Sequence, residues 1–402
     1  MAKRREPGLK QGEPIPLSIR SVAFGGEGVG RTGDLIVFVP LTAPGDEGLV
    51  EIVEVRKTFA RGRLIRLDRP SPWRRAPRCP HFGLCGGCAV QHIAYNGQLA
   101  LKQAQVRDAF VRIGRFGDGT VAEILPSPSP WGYRIKADVH VAVQPTGRTV
   151  VGFKQRKGHS VFDVESCAIV SETVNEALHR LRRNVAEKRR LPEGRWTLWA
   201  ADGGGGERPD RISRTIKGRR FSVPRNGFFQ ANAFLTETLV DTVLDGCALT
   251  GSETVVDAYC GSGLFSVFLA HRCGRLIGIE AEGDAASAAR ENLRTAGCQG
   301  GRIQTGDVGA VLARGPFPPG ERVDVLVLDP PRTGVGPGAL QGIVALRPRR
   351  IVYVSCNPAT MARDCRCLAD FGYRLGSLQP LDMFPQTAHM EVVGLLLLEG
   401  VS

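Results

Sequence analysis

The sequence predicts an α/β chain whose C-terminal part forms a doubly wound sheet, preceded by a small β-barrel and a β-rich central region. Three observations carry this. From Asn226 onward, short β-branched runs alternate with helix-like segments, as in "ETVVDAYC", "RLIGIEA", "GRIQTGD", "VDVLVLDPP", "RRIVYVSC" and "EVVGLLLLE". From about residue 14 to 69, four short runs lie between glycine-rich turns, the pattern of a small barrel. Between these regions, β-like text such as "YRIKADVHVAV" and "VVGFKQRKGHSVFDVESC" surrounds a cysteine-rich segment. The expected domains are therefore 1–69, 70–225 and 226–402.

Composition narrows the class. With 402 residues, 42% of them hydrophobic and 23% charged, the chain is neither fibrous nor disordered and is long enough for two or three domains. The opening "MAKRREPGLK" is basic but leads into no apolar core, and no run is long enough to span a bilayer. A cytoplasmic protein with no membrane partner and no obligate protein partner is expected. The formal net charge of +13 points to a polyanionic partner, because Lys and Arg that neutralise phosphates release condensed counterions. Eleven cysteines, an odd number, argue against a disulfide framework in a reducing compartment and direct attention to metal binding and catalysis.

Within the barrel region the expected strands are "PLSIRSVAF", "LIVFVP", "GLVEIVEVRK" and "ARGRLIRL", with Arg20, Lys57, Arg61 and Arg63 available to face nucleic acid. The stretch "FGGEGVGR" reads as a turn, and it opens no helix, so it is not a phosphate loop. An amphipathic helix is expected from about Tyr95 to Ile113, and a basic helix from about Ser171 to Arg190. The latter carries Arg180, Arg182, Arg183, Lys188, Arg189 and Arg190, which suit either phosphate contact or a solvated face. The glycine run at 203–206 marks a loop.

Three constellations carry chemistry. In "VVDAYCGSGLFSVFLA", Gly261 and Gly263 follow a strand and open a helix, so the backbone can approach a ligand closely. Glu280 ends the next strand, where a carboxylate can accept hydrogen bonds from ribose hydroxyls, and Asp307 ends the third, within reach of an adenine amino group. S-adenosylmethionine fits this pattern.

Second, Cys79, Cys85 and Cys88, spaced C-x5-C-x2-C in a segment poor in core residues, suit a soft metal, either zinc or an iron–sulfur cluster. Cys167 is the leading candidate for a fourth ligand, since the other cysteines lie in the doubly wound domain. Cys247, Cys260, Cys273, Cys298, Cys365 and Cys367 read as packing residues.

Third, Asp329 of "LDPPRTG", Cys356 of "VSCNPAT" and Glu391 of "HMEVVGLL" lie at strand ends. Cys356 sits at a strand-to-helix turn, where a helix N-terminus is expected to lower its thiol pKa. An antiparallel last strand would bring Glu391 to the same edge. Methylating oxygen or nitrogen needs no thiol, whereas carbon 5 of a pyrimidine becomes nucleophilic only after a thiolate adds to carbon 6, and a base must then remove the carbon 5 proton. Cys356 is the expected nucleophile, Glu391 the base, and Phe228 or Phe229 the stacking platform for an unstacked base.

The motifs "CPHFGLCGGC", "GFFQAN", "DAYCGSG", "DPPRTG", "VSCNPAT" and "HMEVV", behind a TRAM-like (OB-like) barrel, make the sequence resemble the RNA uracil-C5 methyltransferases over nearly its whole length, in particular the iron–sulfur branch acting on 23S ribosomal RNA. The resemblance implies a class I methyltransferase domain and a [4Fe-4S] cluster on Cys79, Cys85, Cys88 and Cys167, with zinc as the alternative occupant. It assigns Gln230, Tyr259, Leu264, Glu280, Asp307 and Asp329 to the S-adenosylmethionine pocket, alongside Gly261 and Gly263. It likewise gives Cys356 the nucleophilic role and Glu391 proton removal, and folds the helix near Tyr95–Ile113 back against the catalytic domain. Leu264 and Asp307 stand where family members often carry a polar residue and Asn. Transfer RNA is the alternative substrate. An amino-group methyltransferase built on the "DPP" motif, or a non-catalytic RNA-binding protein, are the competing functions.

Overall fold

The computed structural model describes residues 9–156, 158, 160–187, 191–202, 210–318 and 321–400. The basic tail up to residue 8, Lys188, Arg189, Arg190 and the glycine run at 203–206 lie outside the described residues. The chain forms two compact units. One comprises Met1–Gln105, Phe153–Ser160 and Phe384–His389, and the other Val106–Gly152, Val161–Met383 and Met390–Ser402.

The first unit opens with a closed barrel of β1 (Pro14–Val22), β2 (Glu27–Thr32), β3 (Leu35–Pro40), β4 (Glu47–Val55) and β5 (Phe59–Arg69), in the order β1-β2-β3-β5-β4 with β4 returning to β1. Alternating side chains fill it: Ile15, Leu17, Ile19, Val37, Val39, Val50, Ile52 and Ala60. β2 corrects the sequence reading, which gave its residues to a turn. Its glycines mark close approach and not a bend: a Cβ on Gly28 would lie 2.0 Å from Thr42 Oγ1, and one on Gly30 2.7 Å from Leu17 Cγ. Arg61 and Arg63, expected to face nucleic acid, pair with Glu27 of β2 and Glu51 of β4. Arg20 and Lys57 have no acidic partner among the described residues.

The rest of this unit packs Ala89, Val90, Ile93 and Leu101 around Val22, Ala43 and Ala388. Segment Phe384–His389 is held here by backbone bonds: the Gln386 carbonyl accepts from the N–H groups of Ala89 at 3.0 Å and Val90 at 3.1 Å. Gln98 Nε2 donates to Gln386 Oε1, and the Gln386 N–H donates back to Gln98 Oε1.

Helix α1 (Tyr95–Arg112) starts in the first unit, while its Val106 and Phe110 enter the core of the second. There β6 (Lys136–Val143), β7 (Thr149–Lys154), β8 (Val161–Asp163) and β9 (Gly194–Trp199) make a sheet in the order β8-β7-β6-β9. Helix α2 (Glu172–Ala186), hairpin β10–β11 (Arg211–Ile216, Arg219–Pro224) and helix α3 (Thr236–Cys247) follow.

The large sheet comprises β12 (Thr254–Ala258), β13 (Arg275–Glu280), β14 (Gly301–Thr305), β15 (Val325–Leu328), β16 (Arg350–Ser355), β17 (Tyr373–Leu381) and β18 (Glu391–Leu398). Their order is β14-β13-β12-β15-β16-β18-β17, with helices α4 (Leu264–Ala270), α5 (Gly283–Thr295), α6 (Val308–Arg314), α7 (Pro337–Leu346) and α8 (Pro358–Ala369) between them. The first five strands are parallel, and β18 runs antiparallel to both neighbours. β15 reads Val-Leu-Val-Leu and is buried throughout, as a central parallel strand covered on both faces must be. The sequence reading did not include β17, because Gly376, Ser377 and Pro380 interrupt its apolar text and its pairing shifts between Leu375 and Ser377. Among the described residues no helix is long and apolar enough to cross a membrane.

Candidate active site

At the carboxyl edge of the parallel strands, the chain after β12 turns through Tyr259, Gly261 and Gly263, all with left-handed backbone, before α4 begins. The Glu280 carboxylate, at the end of β13, is fixed in place: one oxygen accepts from the Gly261 N–H at 2.8 Å and the other from the Glu282 N–H at 2.8 Å. Asp307 does not end β14 but caps α6, its Oδ1 accepting from the Ala310 N–H at 2.9 Å. Leu264 is buried in the first turn of α4. The Tyr259 hydroxyl is pushed up to about 12 by burial first, then by Asp307 and Asp364.

These residues fit S-adenosylmethionine on the molecule's own evidence. Gln230 Oε1 and Ser262 Oγ are buried without a hydrogen-bond partner among the described residues, and nothing lies within 4 Å of where a Cβ on Gly261 would stand. Buried polar atoms left unpaired are costly, so such atoms around a ligand cradle mark where ligand groups bond.

Two strands away lie the reactive groups. Cys356 follows β16 directly, and Asn357 caps α8, its side chain accepting from the Ala359 N–H at 3.1 Å. The antiparallel register pairs Ser355 with Val392, so the next step brings Cys356 and Glu391 side by side. Their charges interact. The Cys356 thiol is pushed up to about 11, by burial first and then by Glu391 and Asp329, while the Arg332 guanidinium, which donates to the thiol, opposes them. This reverses the lowered thiol expected from a helix N-terminus: Cys356 lies outside the cap, where two carboxyls and desolvation outweigh the helix dipole.

Glu391 is held well above the carboxylate range by burial first and Asp329 second, with Arg332 opposing, and its Oε2 has no hydrogen-bond partner among the described residues. Asp329 is half-buried as a residue, yet its carboxyl is desolvated; that desolvation, and then the Asp257 charge, draws it up to about 7. Asp257, inside β12, is fully buried and drawn up to about 7 by burial, while the Ser266 hydroxyl that donates to it pulls the other way.

Arg332 and Asp257 were not singled out from the sequence. Each left a signal: an arginine directly after "DPP" on the loop leaving β15, and a lone carboxylate inside an apolar strand. Phe228 and Phe229 divide. Phe228 is 68% exposed, whereas Phe229 is buried against Phe221 with ring centroids 5.9 Å apart, so only Phe228 can stack on a substrate base.

The cysteine segment is different. Cys79, Cys85 and Cys88 belong to the first unit and Cys167 to the second. Among the described residues no three His, Cys, Asp or Glu side chains are gathered closely enough to hold a metal ion. The Gly87 N–H does point at Cys85 Sγ, 3.4 Å away, an arrangement that suits a thiolate. Of the six cysteines read as packing residues, Cys247, Cys260, Cys298 and Cys365 are buried, and Cys273 and Cys367 are partly exposed.

A glycine-rich turn after the first strand of a parallel sheet, acidic residues beyond the next two, and an antiparallel final strand pair define a class I S-adenosylmethionine-dependent methyltransferase domain behind a small barrel. Residues 8–65 match the TRAM domain model, and residues 321–399 match the tRNA (uracil-5-)-methyltransferase model. An uncharacterised RNA methyltransferase of Halalkalibacterium halodurans is 32% identical over 469 aligned residues covering all of both chains, and one of Nostoc sp. is 32% identical over 96% of this chain and 97% of that one. The crystal structure of the Pyrococcus abyssi tRNA (uracil-54, C5)-methyltransferase in complex with S-adenosyl-L-homocysteine superposes with a TM-score of 0.74 at 25% identity, over 95% of this chain and 100% of that one. The chain belongs to this family of TRAM-domain RNA methyltransferases.

Proposed function

We propose that the protein methylates carbon 5 of a uridine in RNA, with Cys356 as nucleophile and Glu391 as base. The observation that carries the reading is the register of β16 on β18, which sets a thiol beside a buried carboxyl at the edge where Asp329 and the glycine turn also end. S-adenosylmethionine supplies the methyl group as an electrophile, held by Gln230, Tyr259, Gly261, Gly263, Leu264, Glu280, Asp307 and Asp329.

Cys356 must lose its proton before it can attack. A thiol near 11 is almost wholly protonated at neutral pH, so its proton leaves to a neighbouring carboxylate, Asp329, as the ring arrives. The new Cys356 sulfur–carbon 6 bond moves electrons onto the ring carbonyl oxygen, and carbon 5 becomes the nucleophile. Glu391 releases its own proton to solvent before this step, and after methylation it takes the carbon 5 proton; the carbon 5–carbon 6 double bond re-forms, the sulfur leaves, and the proton held by Asp329 returns to it. Arg332 steadies the negative charge that Cys356 gains and returns. The target uridine must be out of its stack, and the exposed Phe228 ring offers a platform.

Ribosomal RNA, 23S in particular, is the substrate favoured by the resemblance to the iron–sulfur branch of the family, and transfer RNA is the second candidate. The C-x5-C-x2-C spacing and the Gly87 contact support a [4Fe-4S] cluster drawing on Cys79, Cys85 and Cys88, which anaerobic purification and visible absorption would test.

The decisive experiment is intact-mass analysis after incubation with S-adenosylmethionine and 5-fluorouridine-substituted ribosomal or transfer RNA fragments. Fluorine cannot leave as a proton, so a covalent RNA adduct is expected with wild type and none with Cys356→Ala. Methyl transfer surviving in Cys356→Ala would replace this reading with amino-group methylation.

A further inference from the structure

The loop that leaves β15 carries Arg332, and it is seated on the helix that begins just after Cys356. The Arg332 carbonyl accepts from Asn357 Nδ2 at 3.2 Å and from the Thr360 hydroxyl at 3.3 Å. The Thr333 carbonyl accepts from Arg363 Nη2 at 3.0 Å. The Val335 N–H donates to Asp364 Oδ2 at 2.8 Å, an oxygen that also accepts from the Tyr353 hydroxyl at 2.8 Å. Asp364 is fully buried, and its Oδ1 takes the Arg363 guanidinium at 2.7 Å. Between these anchors the loop turns tightly, the Gly334 N–H donating to the Pro331 carbonyl at 2.8 Å. Gly334 has a φ of 80°, and a Cβ there would lie 2.4 Å from Asp364 Oδ2, so only glycine lets the loop sit this low.

Every anchor on the helix side comes from residues 357–364, the first two turns of α8 and its cap. We propose that this stretch is a clamp that fixes the Arg332 guanidinium against the Cys356 thiol, with Thr360 as a positioning residue for the nucleophile. The logic is one of registration. Cys356 and the clamp belong to one rigid piece of backbone, so holding the Arg332 carbonyl on α8 sets the distance between thiol and guanidinium regardless of movement elsewhere in the loop. An arginine has a long, rotamer-rich side chain, and its electrostatic effect on a neighbour depends on its being held. Thr360 is chosen because its hydroxyl is shared between the Arg332 carbonyl and the Asn357 carbonyl, 3.1 Å away, and makes no contact with the reacting groups. Asn357 also caps the helix and Asp364 is buried, so changing either would disturb folding as well.

The inference rests on Cys356 being the nucleophile, but its test needs neither RNA nor methyl transfer. The rate of Cys356 alkylation by iodoacetamide, followed by peptide mass spectrometry between pH 7 and 10, reports the thiolate fraction. Thr360→Val keeps the shape and removes the bond; alkylation at a given pH should slow about threefold to tenfold, and Thr360→Ser should restore it. Arg332→Gln should slow alkylation at least as much, and adding Thr360→Val to it should then change nothing further, because the clamp acts only through Arg332. Wild-type alkylation in Thr360→Val, or an equal loss with and without Arg332, would overturn the proposal. Unchanged thermal melting and S-adenosylmethionine affinity in Thr360→Val would exclude a general loosening of the domain. Failure of RNA methylation with the alkylation pattern intact would count against the uridine reading and leave the clamp standing.

Discussion

The barrel and the carboxyl edge of the large sheet handle charge in opposite ways. On the barrel, Arg61, Arg63 and Arg69 meet Glu27, Glu51 and Glu47 of other strands, in positions open to water. At the sheet edge, Asp257 and Glu391 are buried, and Asp257 Oδ1 and Glu391 Oε2 have no hydrogen-bond partner among the described residues. Exposed pairs contribute about 0–1 kcal/mol each, because solvent screens them and ordering two long side chains costs entropy. A buried, underpartnered carboxyl costs far more, and it persists where a proton must be held or moved. Abundant charge therefore marks the surface of this protein, and scarce, expensive charge marks its chemistry.

The sharpest way to break that contrast is at the thiol. Cys356→Ala should reduce RNA methylation by about ten-thousand-fold or more while leaving S-adenosylmethionine binding by calorimetry unchanged. Glu391→Gln separates attack from proton removal: turnover should fall about a thousandfold while a methylated RNA adduct accumulates on Cys356, visible as a mass shift on denaturing gels. If that variant turns over normally, the buried carboxyl has no part in the reaction.

The cost of buried charge can be read as stability. Asp257 has a folded pKa of about 7, above its ordinary 3.8, so the folded state is penalised as pH rises through that window and not below it. Asp257→Asn should then be more stable than wild type at pH 8, by about 4 kcal/mol in urea unfolding, with the difference vanishing near pH 4. Methylation should show the same window from the other side. Below pH 7 the rate should drop about tenfold per unit as Asp329 takes up its proton, a limb that Asp329→Asn should lose along with most activity. The smallest effect belongs to the barrel: Arg63→Ala should shift stability by less than about 1 kcal/mol, and less still at high salt.

Much of this was legible in the sequence, for identifiable reasons. The strands ending in Asp329 and Cys356 announced themselves as β-branched runs stopped by proline or a helix cap, and strand ends in a parallel sheet converge on one edge. β2 was hidden because its inward positions are glycines chosen for close approach, which look like turn residues when neighbours are unknown. β17 was hidden by its own glycine and proline. The rise of the Cys356 thiol was out of reach for another reason: it depends on burial first, and then on Glu391 and Asp329 outweighing Arg332, and sequence distance says nothing about how these sum at one sulfur.

The segment Phe384–His389 has a consequence for how this molecule can be recombined. It is stitched to Ala89, Val90 and Gln98 of the first unit, yet it is covalently bracketed by Met383 and Met390 of the second. A crossover after Gln105 between two relatives would give each hybrid a first unit from one parent and this segment from the other, directly ahead of Glu391. Functional chimeras should tolerate such a junction only when residues 384–389 travel with the N-terminal parent, so the evolutionary building block here is a set of separated pieces and not a contiguous stretch of gene.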